Sequence, residues 1–457
     1  MARFVIFGLF VLFYSCENKK PERVTWSKDI APIIHRHCSP CHRPGESGGF
    51  NLLTYVDAVK KGGLLKFVTS SRYMPPWPAD ANYSHFVGER VLSEDQIKLI
   101  ANWTTNGFQR GDSASESLPP KFYQGSYFGK PDLTIRLNKA VSLKGNGTDA
   151  FLILKFPYQI TRDTIVDFVE FVPHRRNLVH HVNGHLISYD EHRKFNYMDG
   201  EWTHEETKAQ LMSVYRDLHI PYTDTQEPSF PMLTPNTVYY LPGYVPPVYP
   251  KTVGGFRLKK NGLFLLNNIH YGPSNSDIND SSYINVFYRK TPIERPLIET
   301  QLGTFGISPI EPEFVIPPNT IKSFTTQTQL PYAISLLSVN PHMHLIGKTF
   351  WAFAVKLNGD TVPLIKINKW DFRWQYYYTF KHPLPLEKGT KIKVIGTFDN
   401  TAKNPNNPFY PPQIITQGNG VESMKTTEEM FQFIFTYMPY KAGDEKIDLE
   451  RKDLGKQ

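Results

Sequence analysis

The sequence predicts a multidomain protein in which a small all-α domain is followed by two all-β sandwiches of jelly-roll type. Three observations predict it. The chain has 457 residues, a length that suits about three domains. Its aromatic content of 14% and its 37 prolines favour strands and turns over long helices. Helical spacing of apolar residues is confined to the first quarter of the chain, whereas short β-type runs follow one another from residue 132 onward. With 40% apolar and 21% charged residues, intrinsic disorder is excluded. The absence of an apolar run of ~18 residues excludes a multi-span membrane protein. The net charge of +8 comes from scattered basic residues, with no dense Lys/Arg block for a nucleic acid.

The first element is an apolar stretch, residues 4–14, preceded by the single basic residue Arg3. It is too short to span a bilayer but suits the core of a signal peptide. It stops at Cys16, followed by Glu17-Asn18-Lys19-Lys20, and Leu12 and Ser15 occupy the positions before the cysteine. This resembles a bacterial lipoprotein signal. The resemblance implies a signal peptide at 1–15, lipidation of Cys16 and a tether at 16–22. It places the protein in the bacterial cell envelope, lipid-anchored on a periplasmic or surface side. An uncleaved signal anchor is the alternative, and in either case the body is exported.

Only two further cysteines follow, Cys38 and Cys41, so a disulfide-stapled scaffold is excluded. They lie in Cys38-Ser39-Pro40-Cys41-His42, a C-x-x-C-H match. Two thiols at this spacing can form thioethers to haem vinyl groups, and the adjacent histidine can supply one axial nitrogen to iron. A zinc ribbon would need a second cysteine pair, and a thioredoxin-like redox pair would need a βαβ context. Around the motif, Ile30, Ile33 and Ile34 have helical spacing before the cysteines. Ser93-Glu94-Asp95-Gln96 has capping-box form and opens a helix carrying Ile97, Ile100, Ala101 and Trp103, with Gly107 placed to end it. Residues 23–112 thus resemble a small class I cytochrome c domain. Met74, in Tyr73-Met74-Pro75-Pro76-Trp77, is the only methionine between Lys20 and Asp112 and is the expected sixth ligand. His35, His37 and His85 compete with it.

Residues 113–131 are rich in Ser, Pro, Gly and Tyr and read as a linker. Beyond them, β-type runs at 133–137, 151–156, 164–171, 263–270, 283–288, 391–398 and 431–437 are separated by turn clusters such as Gly145-Asn146-Gly147. A break near 291–296 divides this region into two sandwiches, 132–292 and 293–445, before a polar tail at 446–457. Histidines cluster in both halves. His180-His181 and His270, in Asn267-Asn268-Ile269-His270-Tyr271-Gly272, lie in the first. His342-Met343-His344 lies in the second. Alternation along a strand puts His342 and His344 on one side, where they can share a metal. Adjacent His180 and His181 can do so only at a bulge or strand end. Imidazole suits copper, zinc and iron, and a methionine ligand favours copper.

The order HH, HYG, HMH and then Thr426-Thr427-Glu428-Glu429-Met430 resembles the copper type II, ascorbate-dependent monooxygenases, the family of the peptidylglycine α-hydroxylating and dopamine β-monooxygenase type. Asp399-Asn400 and the following Asn/Pro cluster are similar to its bacterial members. The resemblance covers about 132–440. It implies two β-sandwich copper subdomains either side of an open cleft. His180, His181 and His270 would hold an electron-transfer copper. His342, His344 and Met430 would hold the oxygen-activating copper and form the catalytic site. Two features depart from the pattern. The animal members are disulfide-rich and this half has no cysteine. His185 and His174 also offer alternative ligands in the first half.

Together these readings predict an exported haem- and copper-containing monooxygenase that inserts one oxygen atom of O2 into a C–H bond of a small-molecule or peptide substrate. Its cofactors would be one covalent c-type haem and two coppers. The haem, itself reduced by a redox partner, would pass electrons to the three-histidine copper, replacing or supplementing ascorbate. The rival expectation is a haem/copper electron carrier or copper-binding lipoprotein without turnover. A third is a cell-surface binding module whose histidines hold no metal.

Overall fold

The computed structural model describes residues 23–122, 125–188, 196–205, 211–220, 232–243, 249, 253–418 and 426–450. Cys16 and the signal and tether before residue 23 lie outside them, as does most of the expected polar tail. The β-branched and aromatic runs of the sequence form strands: residues 283–288 are the strand Tyr283–Tyr288 and residues 431–437 lie within Phe431–Pro439.

Among the described residues, four larger antiparallel sheets carry the fold. The first orders Thr203–Glu205, Ala150–Gln159, Asn261–Tyr271, Val179–Ser188 and Met232–Tyr240. The second orders Leu133–Arg136, Tyr283–Tyr288, Thr164–Val172 and Phe256–Leu258. The third orders Ile298–Gly303, Phe431–Pro439, Ile334–Met343 and Tyr378–Leu386. The fourth orders Thr320–Gln329, Lys391–Asn400, Gly347–Val355 and Thr361–Ile367. Leu154, Phe264, Leu266, Ile284 and Val286 belong to one buried core, drawn from the first two sheets. Leu336, Phe350, Ile392, Phe398 and Phe433 belong to another, drawn from the third and fourth.

This architecture corrects the expected fold class. The protein is mostly β, 38% strand and 13% helix, with a four-blade, propeller-like arrangement, and no small all-α cytochrome c domain is evident. Among the described residues the helices are few and short, the longest being Glu94–Thr105. The physical reason lies in residues 79–87, which pack on the sheets. Ala79 and Phe86 form β-bridges with Ile367 and Phe380. Phe86 is fully buried, with ring centroids 5.0 Å from Tyr378 and 5.2 Å from Phe380. Local periodicity found the helices but could not show that the chain between them belongs to the β core. The expected pair of jelly-roll sandwiches fails for a related reason: β-type runs identify strands, not sheet partners. Among the described residues no helix is long and apolar enough to cross a membrane.

Candidate functional site

The first histidine cluster forms where Val179–Ser188 pairs antiparallel with Asn261–Tyr271. Register shifts between Val179 and His181, leaving His180 at the irregularity while His181 pairs with His270. A bulge lets neighbouring side chains face one point. The His180 and His270 rings lie 4.7 Å apart at 84°, and the His181 and His270 rings 5.1 Å apart at 67°. With metal–nitrogen bonds of ~2.0 Å, two ligand rings roughly at right angles would have centroids about 4.5–5 Å apart. Among the described residues, the group whose ligand atoms all lie within 4.8 Å of one another is Asp149, His180 and His270; His181 has its ring beside that of His270 but is not in that group.

Supporting groups fix these rings. Phe151, the cross-strand partner of His270, stacks on it at 4.2 Å. His270 Nε2 donates to Asp149 Oδ1 at 2.8 Å, which leaves Nδ1 unprotonated. Asp149 Oδ1 also stands within 4.8 Å of a ring nitrogen of both His180 and His270, so it can either ligate or orient. Asn268 hydrogen-bonds His181. Burial lowers the pKa of all three histidines, and for His181 the value falls to about 3, with His270, His180 and His342 adding to the effect. They are held neutral, as metal ligation requires. His342 thus lies within electrostatic reach of His181.

The second cluster lies at the end of Ile334–Met343, where His342 is opposite Gln432 and Met343 opposite Phe431 on the neighbouring strand. His342 and His344 share a face, with ring centroids 5.1 Å apart, while Met343 is fully buried. Met430 Sδ is 3.1 Å from His342 Nε2. Nitrogen and sulfur bound at ~2.0 and ~2.3 Å about a right angle would be about 3 Å apart. The opposite nitrogens are occupied. His342 Nδ1 donates to Gln375 Oε1, and His344 Nδ1 donates to the Glu428 carbonyl at 2.8 Å. The Nε2 of His342 is therefore unprotonated and turned towards Met430. Burial, and then His344, push the His342 pKa down to about 3. A soft sulfur with two imidazoles fits copper.

Glu429 holds this turn from beneath. Its carboxyl accepts backbone N–H groups of His344 at 2.9 Å, Ile346 at 2.8 Å and Met430 at 3.2 Å. Burial pushes its pKa up to about 8, against those three donors.

The C-x-x-C-H segment closes a tight turn after the helix Ala31–His37. Cys41 and His42 both donate backbone N–H groups to the Cys38 carbonyl, at 3.2 and 2.9 Å. Both thiols are free, and burial raises the pKa of each, for Cys38 to about 12. Burial lowers that of His42, opposed by the Phe50 and Gly48 backbone. Two free thiols and an imidazole thus lie together on one turn, the donor set the sequence reading expects to hold a haem. Met74 lines a cavity of about 500 Å³ together with Trp77, Arg90 and Leu92. Cys38, Cys41 and His42 do not line it, but Arg90 hydrogen-bonds Cys41. His35 has both ring nitrogens engaged, by Leu53 O and Ser117 Oγ. His85 points to Glu89 at the surface. Met74 and His37 keep their places as candidate sixth ligands.

The remaining sequence candidates lie elsewhere. His185 follows a second register shift on its strand, and His174 Nδ1 accepts the Ser281 backbone N–H at 3.2 Å. Asn400 is a buried staple whose amide donates to Ile316, Pro317 and Gln413 carbonyls. Sequence reasoning missed Asp149, Asn268, Gln375 and Glu429. Asn268 and Glu429 stand inside quoted motifs, which was a usable signal. Asp149 and Gln375 come from distant segments with no local signal.

No family model matches the chain, and no curated protein matches it. Among solved structures, the similarities include PNGF-II in a P21 space group, at 9% identity and a TM-score of 0.24, covering 67% of this chain and 65% of that one. PNGF-II in a C2 space group follows at 10% identity and a TM-score of 0.23, covering 77% and 71%. An infectious bursal disease virus Gt strain structure has 10% identity and a TM-score of 0.16, covering 72% and 80%. The chain thus spans just under two thirds of the first of these. Likenesses this weak bear on neither fold nor activity.

Proposed function

We propose that the protein is an exported copper-dependent monooxygenase that inserts one oxygen atom of O2 into a C–H bond of an organic substrate. A c-type haem on Cys38 and Cys41 feeds electrons to copper. The observation that carries this reading is the contact of His342 Nε2 with Met430 Sδ at 3.1 Å beside the His344 ring, whose centroid lies 5.1 Å from that of His342, with the Nδ1 of each histidine already engaged. It stands beside a separate three-histidine cluster. Copper in the first set would supply the oxygen-reactive Cu(I) state, which a thioether favours, and copper in the second would store the other electron. Overall, O2, two electrons, two protons and the C–H substrate give an alcohol and water.

The chain's own residues do the positioning. Gln375 and Glu428 keep the His342 and His344 protons on Nδ1, and Asp149 keeps that of His270 on Nε2. Glu429 fixes the turn that carries Met430. The haem reading rests on Cys38, Cys41 and His42 alone, with Met74 the sixth ligand. Lipidation of Cys16 would anchor the protein to a membrane of the bacterial envelope.

Metal analysis and a visible spectrum of the purified protein test the reading. One haem and two coppers per chain are expected, with O2 uptake coupled to a hydroxylated product once a substrate is supplied. Haem lost from the unmodified protein on a denaturing gel, or copper absent, sinks it.

A further inference from the structure

We propose that Asp149 is a ligand of the first metal set, which then offers two imidazoles, His180 and His270, and one carboxylate to a divalent cation. This deepens the proposed function at one of its two sets and rests on that reading only in taking the cluster as a metal site. A carboxylate oxygen of Asp149 and one ring nitrogen each of His180 and His270 lie within 4.8 Å of one another. Donors bound at ~2.1 Å to one ion stand about 3 Å apart at a right angle and about 4 Å apart when opposite. Small side-chain rotations therefore close this group on an ion. Its shortest edge is already in place, since His270 Nε2 and Asp149 Oδ1 are 2.8 Å apart. His181 is outside the group, and Asn268 hydrogen-bonds its ring.

The fold places Asp149 there. It precedes the strand Ala150–Gln159, whose Ala150 and Phe151 pair with Tyr271 and His270. The turn before it is pinned to the loop that follows His270. Gly145 N donates to Asp277 Oδ1 at 2.9 Å, and Gly147 N to the Ser274 carbonyl at 2.9 Å. Within the turn, Thr148 N and Oγ1 both donate to Asn146 Oδ1. Lys144, on the same turn, is taken by Asp277 at 3.2 Å, and among the described residues no Lys or Arg pairs with Asp149. Neutral imidazoles around an uncompensated carboxylate make a site of net negative charge, which draws a cation.

In the metal-free chain the Nε2 proton of His270 bridges the short edge. A cation takes the place of that proton. Nε2 and Oδ1 both turn lone pairs to the ion, and the proton moves by way of solvent to Nδ1. The imidazole stays neutral and no net proton is released. An anionic oxygen with two imidazoles suits zinc, iron(II) or copper(II), and disfavours copper(I). The Met430 set, with its thioether, has the opposite preference.

The experiment uses the full chain, stripped of metal by a chelator and titrated with Zn2+ alone, the heat of binding giving the affinity. Asp149→Ala removes the carboxylate. Asp149→Asn keeps an oxygen that can accept from His270 Nε2 but loses the charged donor. Zn2+ affinity should fall about tenfold or more in both variants. The metal-free variants should keep the wild-type thermal midpoint, because Asp149 is half exposed. If Asp149→Asn binds Zn2+ as tightly as the wild type, Asp149 only orients the His270 ring and the proposal is overturned. A wild-type chain that takes up no Zn2+ overturns it as well. Neither result alters the haem and copper counts that decide the proposed function, so the two failures are told apart.

Discussion

His342 is held in one tautomer and one orientation by its neighbours. Its Nδ1 is fixed on Gln375, its Nε2 faces Met430, and burial keeps it neutral. Met430→Ala removes the soft donor while leaving His180, His181 and His270 untouched. Hydroxylation should be abolished with the copper of the three-histidine set still bound, as product yield and copper per chain will show. Full activity in that variant refutes the assignment of Met430. On the other side, Gly272 is needed for space. A Cβ there would stand 2.5 Å from His180 Nε2, and the Gly272 backbone is tied to the Leu178 carbonyl at 2.7 Å. Gly272→Ala should therefore displace the His180 ring and reduce copper from two per chain towards one, measured by metal analysis of folded protein. The ligand candidates were legible because imidazole and thioether announce metal chemistry by type. Asp149 was not, since it reaches His270 across 121 positions of sequence.

At the scale of elements, local chemistry was readable wherever it was self-contained. The Ser93 capping box forms, with Gln96 N donating to Ser93 Oγ at 3.1 Å and Ser93 N to Gln96 Oε1 at 3.0 Å. The helical spacing at 26–37 resolves into a π-helical turn, Trp26–Ile30, and the helix Ala31–His37. Asn400, at the end of Lys391–Asn400, joins the carbonyls of Ile316, Pro317 and Gln413. Asn400→Ala leaves buried acceptors unsatisfied and should cost about 3 kcal/mol, seen as a lower thermal midpoint. His185 tests burial within Val179–Ser188. Burial alone lowers its pKa from 6.5 to about 4. Between those values the unfolded chain binds a proton that the folded chain refuses, so its contribution is full above pH 6.5 and is lost as pH falls towards 4. Metal-free His185→Gln should show a shallower loss of thermal stability over that range than wild type. An identical slope would refute the assignment.

For the whole molecule, the partition expected from the sequence and the one observed differ in what the first hundred residues are for. Their helices surround a small cluster containing Trp26, Ile34, Leu65, Ile100 and Trp103, yet Ala79 and Phe86 belong to the main β core. Sequence patterning could not reveal this, because residues 79–87 have no strand-like alternation and are recruited by partners near 366–380. Backbone bonds confirm the recruitment: Asp80 N donates to the Lys366 carbonyl at 2.8 Å and Val87 N to the Thr379 carbonyl at 2.8 Å. The N-terminal segment is thus a stabilising component of the β body. Replacing the fully buried Phe86 by alanine should cost about 3–5 kcal/mol and lower the thermal midpoint of the entire protein. A chain beginning at residue 113 loses Phe86, Ala79 and their backbone pairings together, and exposes Tyr378 and Phe380. It should unfold at lower temperature and be digested faster by protease than the full chain. If that fragment melts at the full-length temperature, the segment is an independent appendage and the recruitment of Phe86 contributes nothing to the stability of the sheets.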